Sequence, residues 1–572
     1  MKRLLLALLL ALVCSCCGIP AAAETPDFGP NVFLFTPSTP AAQMQAAIDK
    51  VYAEQQSAEF GGSRYAFLFL PGSYKVDVPI GFYTQVIGLG AAPDAVTIAG
   101  NVHSDASLPH NNATCTFWKG VEGFAVQPTA GSMQWAVSQA VPFRRMHIAG
   151  NLVLHQQHGW ASGGWISDSR IDGNVDSGTQ QQWISRTSEW GSWTGANWNM
   201  VFVGIDHAPM GEWPQPTFTK IAAAPVVREK PFLFVDRKGN YLVRVPEVRT
   251  HASSITWAGG ATPGRSIPLR RFYIAKPGDR AEKINTQLAL GKDLLFTPGN
   301  YALEAPIRVQ RPGTIVLGLG FATLKPVQGT AALETADADG IVIAGLLIDA
   351  GETLSPILLQ VGPRGSHRSH AKDPITLCDV FFRVGGAGVG KAGIDLEINA
   401  NDTLIDHTWI WRADHGKGVG WTQNLSANGL VVNGDHVTAY GLFVEHHQQF
   451  QVLWNGNAGR TYFYQSEIPY DPPNQASYSS AAGTNGWASY KVADSVTSHE
   501  AWGLGIYSVF RHPNVTLTRA IEAPERPGVR FHHMITVALD NLGEISHVID
   551  NAGGSTSTKP RVTPKLAEFP LK

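Results

Sequence analysis

The sequence predicts an all-β fold of two tandem right-handed parallel β-helices, and three observations carry that prediction. First, one phrase occurs twice. "FLFLPGSYKVDVPI" fills residues 67–80 and "LLFTPGNYALEAPI" fills residues 294–307, and each runs soon into "VIGLG" (86–90) or "VLGLG" (316–320). A repeat at that distance is too long for one turn of a solenoid and points to two units of one kind. Second, a short helical pattern precedes each copy, "AAQMQAAIDKVYAEQ" and "AEKINTQLALGK". A helix ahead of the first coil is a way to hide unpaired strand edges. Third, β-rich runs recur at uneven spacing. "CDVFFRVGG", "IDHTWIWRADHG", "AYGLFVEHHQQFQVLW" and "RTYFYQSEIPY" begin at residues 378, 405, 439 and 460. Coils carrying loops of variable length produce such spacing. A sandwich or barrel is the rival all-β reading, and few two-residue hairpin signals such as Asn-Gly support it.

The elements follow in chain order. Residues 1–23, "MKRLLLALLLALVCSCCGIPAAA", have a basic start, an apolar stretch and small residues before the cut, the pattern of a secretory signal peptide. The lesser reading is a lipoprotein box with Cys16 as the lipidated residue. The first unit runs from 27 to 258 and is dense in Gly and Trp. In the repeated phrase an apolar run reads as a buried strand. Pro-Gly then breaks it with a turn, and a short alternating segment ends at Pro79 or Pro306. A link near "TWAGGATPGRSIPLRRFYIAKPGDR" leads to the second unit, 270–545, and residues 546–572 read as a tail.

Composition excludes several classes. The 572 residues hold 59 Gly, 36 Pro, 16 Trp, 14 Tyr and 25 Phe, and 44% are hydrophobic, which is globular rather than disordered. The formal charge of −2 comes with no basic stripe, so nucleic acid is not expected as a partner. No segment after the leader is long enough to span a membrane. Only Cys115 and Cys378 remain beyond the leader. They fall in different units, so two free buried thiols are expected rather than a disulfide, and no zinc spacing is present. A monomer without cofactor is expected.

Chemistry concentrates in the second unit. Glu445 in "FVEHH" and Glu467 in "YQSEIPY" lie 22 residues apart, about one coil. Neighbouring coils stack at the strand spacing of ~4.8 Å. Two carboxylates that close raise one pKa, as a general acid at neutral pH requires. Two exposed or salt-bridged glutamates would satisfy the same spacing. His407, His415, His436, His446 and His447 invite a metal reading. Adjacent strand residues point to opposite faces, so His446 and His447 do not readily share one ligand site, and no metal is expected. Seven tryptophans fall between residues 160 and 213. Aromatic faces stack on sugar rings, so an aromatic rim of a carbohydrate site is one reading and ordinary core the other.

The longer phrases resemble glycoside hydrolase family 55. "YQSEIPYDPP" and "GLFVEHHQQFQVLW" are similar to two of its active-site segments. "MQWAVSQAVPFRRMHI" and "ASGGWISDSRIDGNVDSGTQQQWISR" look like two more in the first unit. The resemblance implies two pectin-lyase-like β-helices packed side by side with the active site between them. It implies an exo-acting β-1,3-glucan hydrolase that inverts the anomeric centre. By the same resemblance, Glu467 is the general acid and Glu445 the second carboxylate. Gln139 and Ser162 hold the attacking water, while Tyr470, Trp411, Asp414, Gln181 and Gln182 bind sugar. Gln139 and Ser162 equally suit satisfaction of buried backbone groups, Gln181 and Gln182 an amide ladder, and Trp411 a core position. Ser466 and Ile468 stand where the family has threonines around Glu467, a departure that bears on the linkage cleaved. Carboxylates stacked on neighbouring coils point instead to retention. A polysaccharide lyase, with Arg383, Arg412 or Arg460 beside a uronate, and a non-catalytic sugar-binding β-helix stay open.

Overall fold

The computed structural model describes residues 25–571 apart from 482 and 541. The leader, with its cleavage and lipidation readings, lies outside the described residues. The first unit begins with parallel pairing of Val32–Phe35 to Tyr65–Phe69, then Thr84–Gly88, then Lys119–Glu122. This ladder continues through nine strands to Phe218–Ile221, beside an eight-stranded sheet of the same unit. The second unit repeats the plan with a twelve-stranded and an eight-stranded sheet. Its strands Thr376–Val384, Leu404–Arg412, Thr438–Glu445 and Gly459–Glu467 coincide with the runs read from the sequence. Each unit is a parallel β-helix with its own apolar core.

The repeated opening has one physical cause in both copies. Helix α1 (Ala41–Gln55) buries Met44, Ile48 and Val51, and helix α2 (Ala281–Ala289) buries Ala281, Ile284 and Leu288. Gly72 at φ +149° and Gly299 at φ +154° sit where an added Cβ would lie 2.3 Å from Pro37 Cγ and Pro277 Cγ respectively. Only glycine fits that approach. The tyrosine two residues on fastens the turn: Tyr74 Oη donates to Leu70 O at 2.6 Å, and Tyr301 Oη to Thr297 O at 2.8 Å.

A second regularity runs across the coils of the second unit. Gly345, Asp379, His407, Gly441, Phe463, Gly503 and His533 occupy equivalent register on successive strands. All seven are left-handed, with φ between 50° and 71°. One such residue turns the chain through a corner without interrupting the ladder on either side. Non-glycine residues there cost of order 1–3 kcal/mol each, which the surrounding ladder must hold in place.

This cornered face meets the first unit. Trp165, Ile184 and Val201 pack with Phe381, Trp409, Phe443 and Phe463 in one apolar cluster. Beside it lies a buried ionic lattice. Arg144 donates to both oxygens of Asp379 at 2.8 Å and to Asp406 Oδ2 at 2.8 Å. Arg186 reaches Asp406 at 3.0 Å and Glu229 at 2.7 Å.

Three expectations need correction. The first parallel ladder ends at Ile221. Residues 224–268, including part of the presumed link, pair antiparallel: Ala224–Arg228 with Val248–Ala252, and Tyr241–Pro246 between Phe232–Val235 and Gly264–Pro268. The segment from 546 onward is no loose tail, because Lys565–Phe569 pairs antiparallel with Val529–Ala538. Cys115 and Cys378 are both free, but only Cys378 is buried. Among the described residues, no helix is long and apolar enough to cross a membrane.

Candidate active site

Between the units lies a cavity of about 260 Å³. Thr114, Cys115, Phe117, Gln139, Ser162 and Gln181 line it from the first unit. From the second come Trp409, Trp411, Asp414, His415, Glu445, His446, Glu467 and Tyr470. Glu445 and Glu467 end consecutive strands whose register offset is 22 residues, as Phe443 opposite Gln465 shows. The pair therefore stacks on adjacent coils, and His446 N donates to Glu467 O at 2.8 Å.

The two carboxyls have different surroundings. Glu445 accepts from Trp409 Nε1 at 2.8 Å and from Gln139 Nε2 at 3.2 Å. Among the described residues, no group donates to the Glu467 carboxyl. Burial, reinforced by the charges of Glu445 and Asp414, pushes Glu467 well above the usual carboxylate range. Burial also lifts Glu445, to about 7, against the donors that hold it down. The proton of this pair rests best on Glu467, because ionisation there has no donor to receive it.

Gln139 comes from a strained position. Its φ is +48°, and its carbonyl accepts from His407 Nε2 at 3.0 Å. With its amide nitrogen on Glu445, its buried Oε1 has no hydrogen-bond partner among the described residues. Ser162 lies beside it, its backbone N held by Ser138 Oγ at 2.9 Å. Asp414 would be raised by burial, but the His415 hydrogen bond and the charges of His446 and Arg511 hold it at about 2. Tyr470 packs edge-on against His446, with ring centroids 4.4 Å apart. Trp411 stacks on Trp409 at 4.7 Å and 19°.

The cavity thus gathers Glu467, Glu445, Gln139, Ser162, Tyr470, Trp411, Asp414 and Gln181. Gln182 is a correction. It is fully buried, and its amide donates to the Ser162 carbonyl. Alternation along the strand sends Gln181 outward and Gln182 inward. The tryptophan-rich segment is a second correction, since none of its seven rings lines the cavity. Trp165 and Trp183 are core, and Trp198 packs on Tyr507. The cavity aromatics are Phe117, Trp409, Trp411 and Tyr470. Trp409 was missed. It lies two residues before Trp411 on one strand, so alternation alone puts both on one face. Of the arginines of the lyase reading, Arg383 pairs with Asp349 at 2.7 Å and Arg412 with Asp471 at 2.9 Å, and Arg460 is not among the residues that line the cavity.

Fold and cavity together define a double parallel β-helix protein with a carboxyl-lined cavity between its units. The family model described as LAM55 pectate lyase-like domain matches residues 272–467. An exo-beta-1,3-glucanase of Streptomyces sp. (strain SirexAA-E / ActE) is 47% identical over 558 residues, covering 96% of this chain and 92% of the relative. The solved structure of sacteLam55A from Streptomyces sp. SirexAA-E superposes with a TM-score of 0.93, covering 95% of this chain and 99% of that one. A variant of sacteLam55A in complex with glucose gives the same score at 47% identity, covering 96% and 99% of the two chains. The chain belongs to glycoside hydrolase family 55.

Proposed function

We propose that this chain is a secreted hydrolase that releases sugar from the ends of β-1,3-glucan with inversion of the anomeric centre. The relative named exo-beta-1,3-glucanase supports the substrate, and the leader supports export. A cavity of about 260 Å³ suits one end of a chain better than the middle of a long polymer.

Glu467 gives its proton to the glycosidic oxygen as the bond to the anomeric carbon breaks. Water held by Gln139 and Ser162 attacks that carbon from the side of the first unit, and Glu445 draws off the proton that the water loses. Trp411 and Tyr470 supply flat apolar surface for the ring, and Asp414 accepts from its hydroxyls. The observation that carries this assignment is the contrast between the carboxyls: among the described residues, Trp409 and Gln139 donate to Glu445 and no group donates to Glu467.

Glu467→Gln keeps the shape and removes the transferable proton. Turnover on the polymer should fall by ~10²–10⁴-fold. A dinitrophenyl glucoside, whose leaving group needs no proton, should lose far less. Equal loss on both substrates, or ordinary turnover on polymer, would reject Glu467 as the acid. The stacked carboxyls also suit a retaining displacement by Glu445. Proton NMR of the first-formed product decides between the two, because a β-anomer from a β-glucan rules out inversion.

A further inference from the structure

At the wall of the cavity, three side chains from three distant segments converge. Among the described residues, Glu59, Cys115 and His415 are the only group of three His, Cys, Asp or Glu residues with ligand atoms all within 4.8 Å of one another. Cys115 and His415 line the cavity itself. Glu59 Oε1 lies 2.5 Å from His415 Nε2. On the other side of the ring, Asp414 Oδ1 lies 2.8 Å from Nδ1. Both ring nitrogens therefore face carboxylates, and the imidazole carries a proton on each.

This is also how metal-binding imidazoles are held. One nitrogen takes the cation while a carboxylate on the other fixes the ring and its tautomer. A thiol, an imidazole and a carboxylate form a donor set that suits Zn²⁺, with a fourth position left for water or substrate. Tetrahedral zinc with bonds of ~2.0–2.3 Å needs ligand atoms roughly 3.3–3.7 Å apart. The three groups meet that by small rotations, the Glu59–His415 contact opening as the cation replaces the shared proton. His415 and Glu59 are partly exposed, so a cation has a way in. Other histidines between two acids have no thiol in their groups and lie outside the cavity: His370 with Asp337 and Asp339, His147 with Asp94 and Asp172, His103 with Asp77 and Asp105, and His532 with Glu500 and Glu568.

We propose that Glu59, Cys115 and His415 form an inhibitory site for zinc-class cations at the mouth of the catalytic cavity. The inhibitory part rests on the glucan-hydrolase reading above; the binding part does not. Binding exchanges the His415 Nε2 proton and the Cys115 thiol proton for the metal, releasing both to solvent. The cation then stands beside Asp414 in space the terminal sugar would use, and its charge competes with sugar hydroxyls for that carboxylate.

Cobalt(II) reports on the site without any substrate, because a thiolate ligand gives a near-ultraviolet charge-transfer band. The full chain, dialysed against chelator, is titrated with Co²⁺ alongside Cys115→Ser, and the difference spectrum isolates this thiol from Cys378 and the leader cysteines. The expected result is a difference band saturating at one equivalent and bleached by Zn²⁺. Hydrolysis of β-1,3-glucan by the same preparation should be normal without metal, inhibited by Zn²⁺ and restored by chelator. Glu59→Gln, which alters no residue of the proposed catalytic machinery, should keep basal turnover and need at least ~10-fold more Zn²⁺ for the same inhibition, since even an outer partner of a metal ligand typically costs that much. A difference spectrum without a band overturns the site. Zinc binding that leaves hydrolysis untouched overturns its inhibitory role. Absence of hydrolysis before any metal is added would instead count against the glucanase reading.

Discussion

Glu445 and Glu467 share a cavity but differ in what each can donate to or accept from. Removing the Glu445 charge by Glu445→Gln takes away a repulsion that raises Glu467. The Glu467 pKa should then fall, and the basic limb of the pH–rate profile should move to lower pH. An unmoved limb would mean that the two carboxyls do not sense each other. His407 is a positioning residue of the same site. Its Nδ1 faces Asp379 Oδ1 at 2.9 Å, its Nε2 faces Gln139 O at 3.0 Å, and its ring stacks on Trp165 at 5.1 Å. It thereby pins the left-handed Gln139. His407→Ala should release Gln139 and cost ~10²-fold in turnover with KM nearly kept, and His407→Gln should recover part of it. Unchanged turnover in a folded His407→Ala would remove His407 from this role. At this scale the carboxyls were readable because a 22-residue offset is itself a coil length. Trp409 needed only the alternation rule. The link from His407 to Gln139 was not readable, since it joins residues 268 positions apart across two units.

The elements most legible in sequence were those whose causes are local. Pro-Gly-x-Tyr encodes the opening turn twice, because the glycine is forced by a proline and the tyrosine ties back to the same turn. The apolar runs of the second unit marked its strands to within two residues at their starts. The corners were invisible. Only three of the seven are glycine, and the others, Asp379, His407, Phe463 and His533, carry no turn signal. The fold of 224–268 was likewise hidden, as its antiparallel partners lie across the presumed boundary. Gly441 tests the corner directly. At φ +63° an added Cβ would lie 2.6 Å from Trp165 Cε3. Gly441→Ala should cost ~1–3 kcal/mol from backbone strain alone, with more from displacing the indole. Thermal unfolding should show a lower Tm than the native chain, and an equal Tm would mean that the face yields there.

The two units line one cavity, so on the proposed reading their docking is part of catalysis. The ionic lattice at their contact is buried, and its charges are mutually dependent. Arg144→Met leaves Asp379 and Asp406 with one arginine fewer in a dry site. Breaking such a pair from one side typically costs ~3–5 kcal/mol. Unfolding by denaturant should show a loss of that order, and turnover should fall with it because Asp379 also holds His407. A stability within ~0.5 kcal/mol of native would show the lattice to be idle. The carboxyl of Asp406 is committed to Arg144 and Arg186 and is not free to serve as an alternative acid. At the far end of the second unit, the final strand Lys565–Phe569 runs against the direction of every coil before it. A stack of parallel coils grows by templating: each open edge offers the next strand the direction it needs. A reversed last strand offers the wrong one. It closes the parallel ladder as a stopper closes a thread, so the coil-on-coil parallel pairing is not what this edge presents.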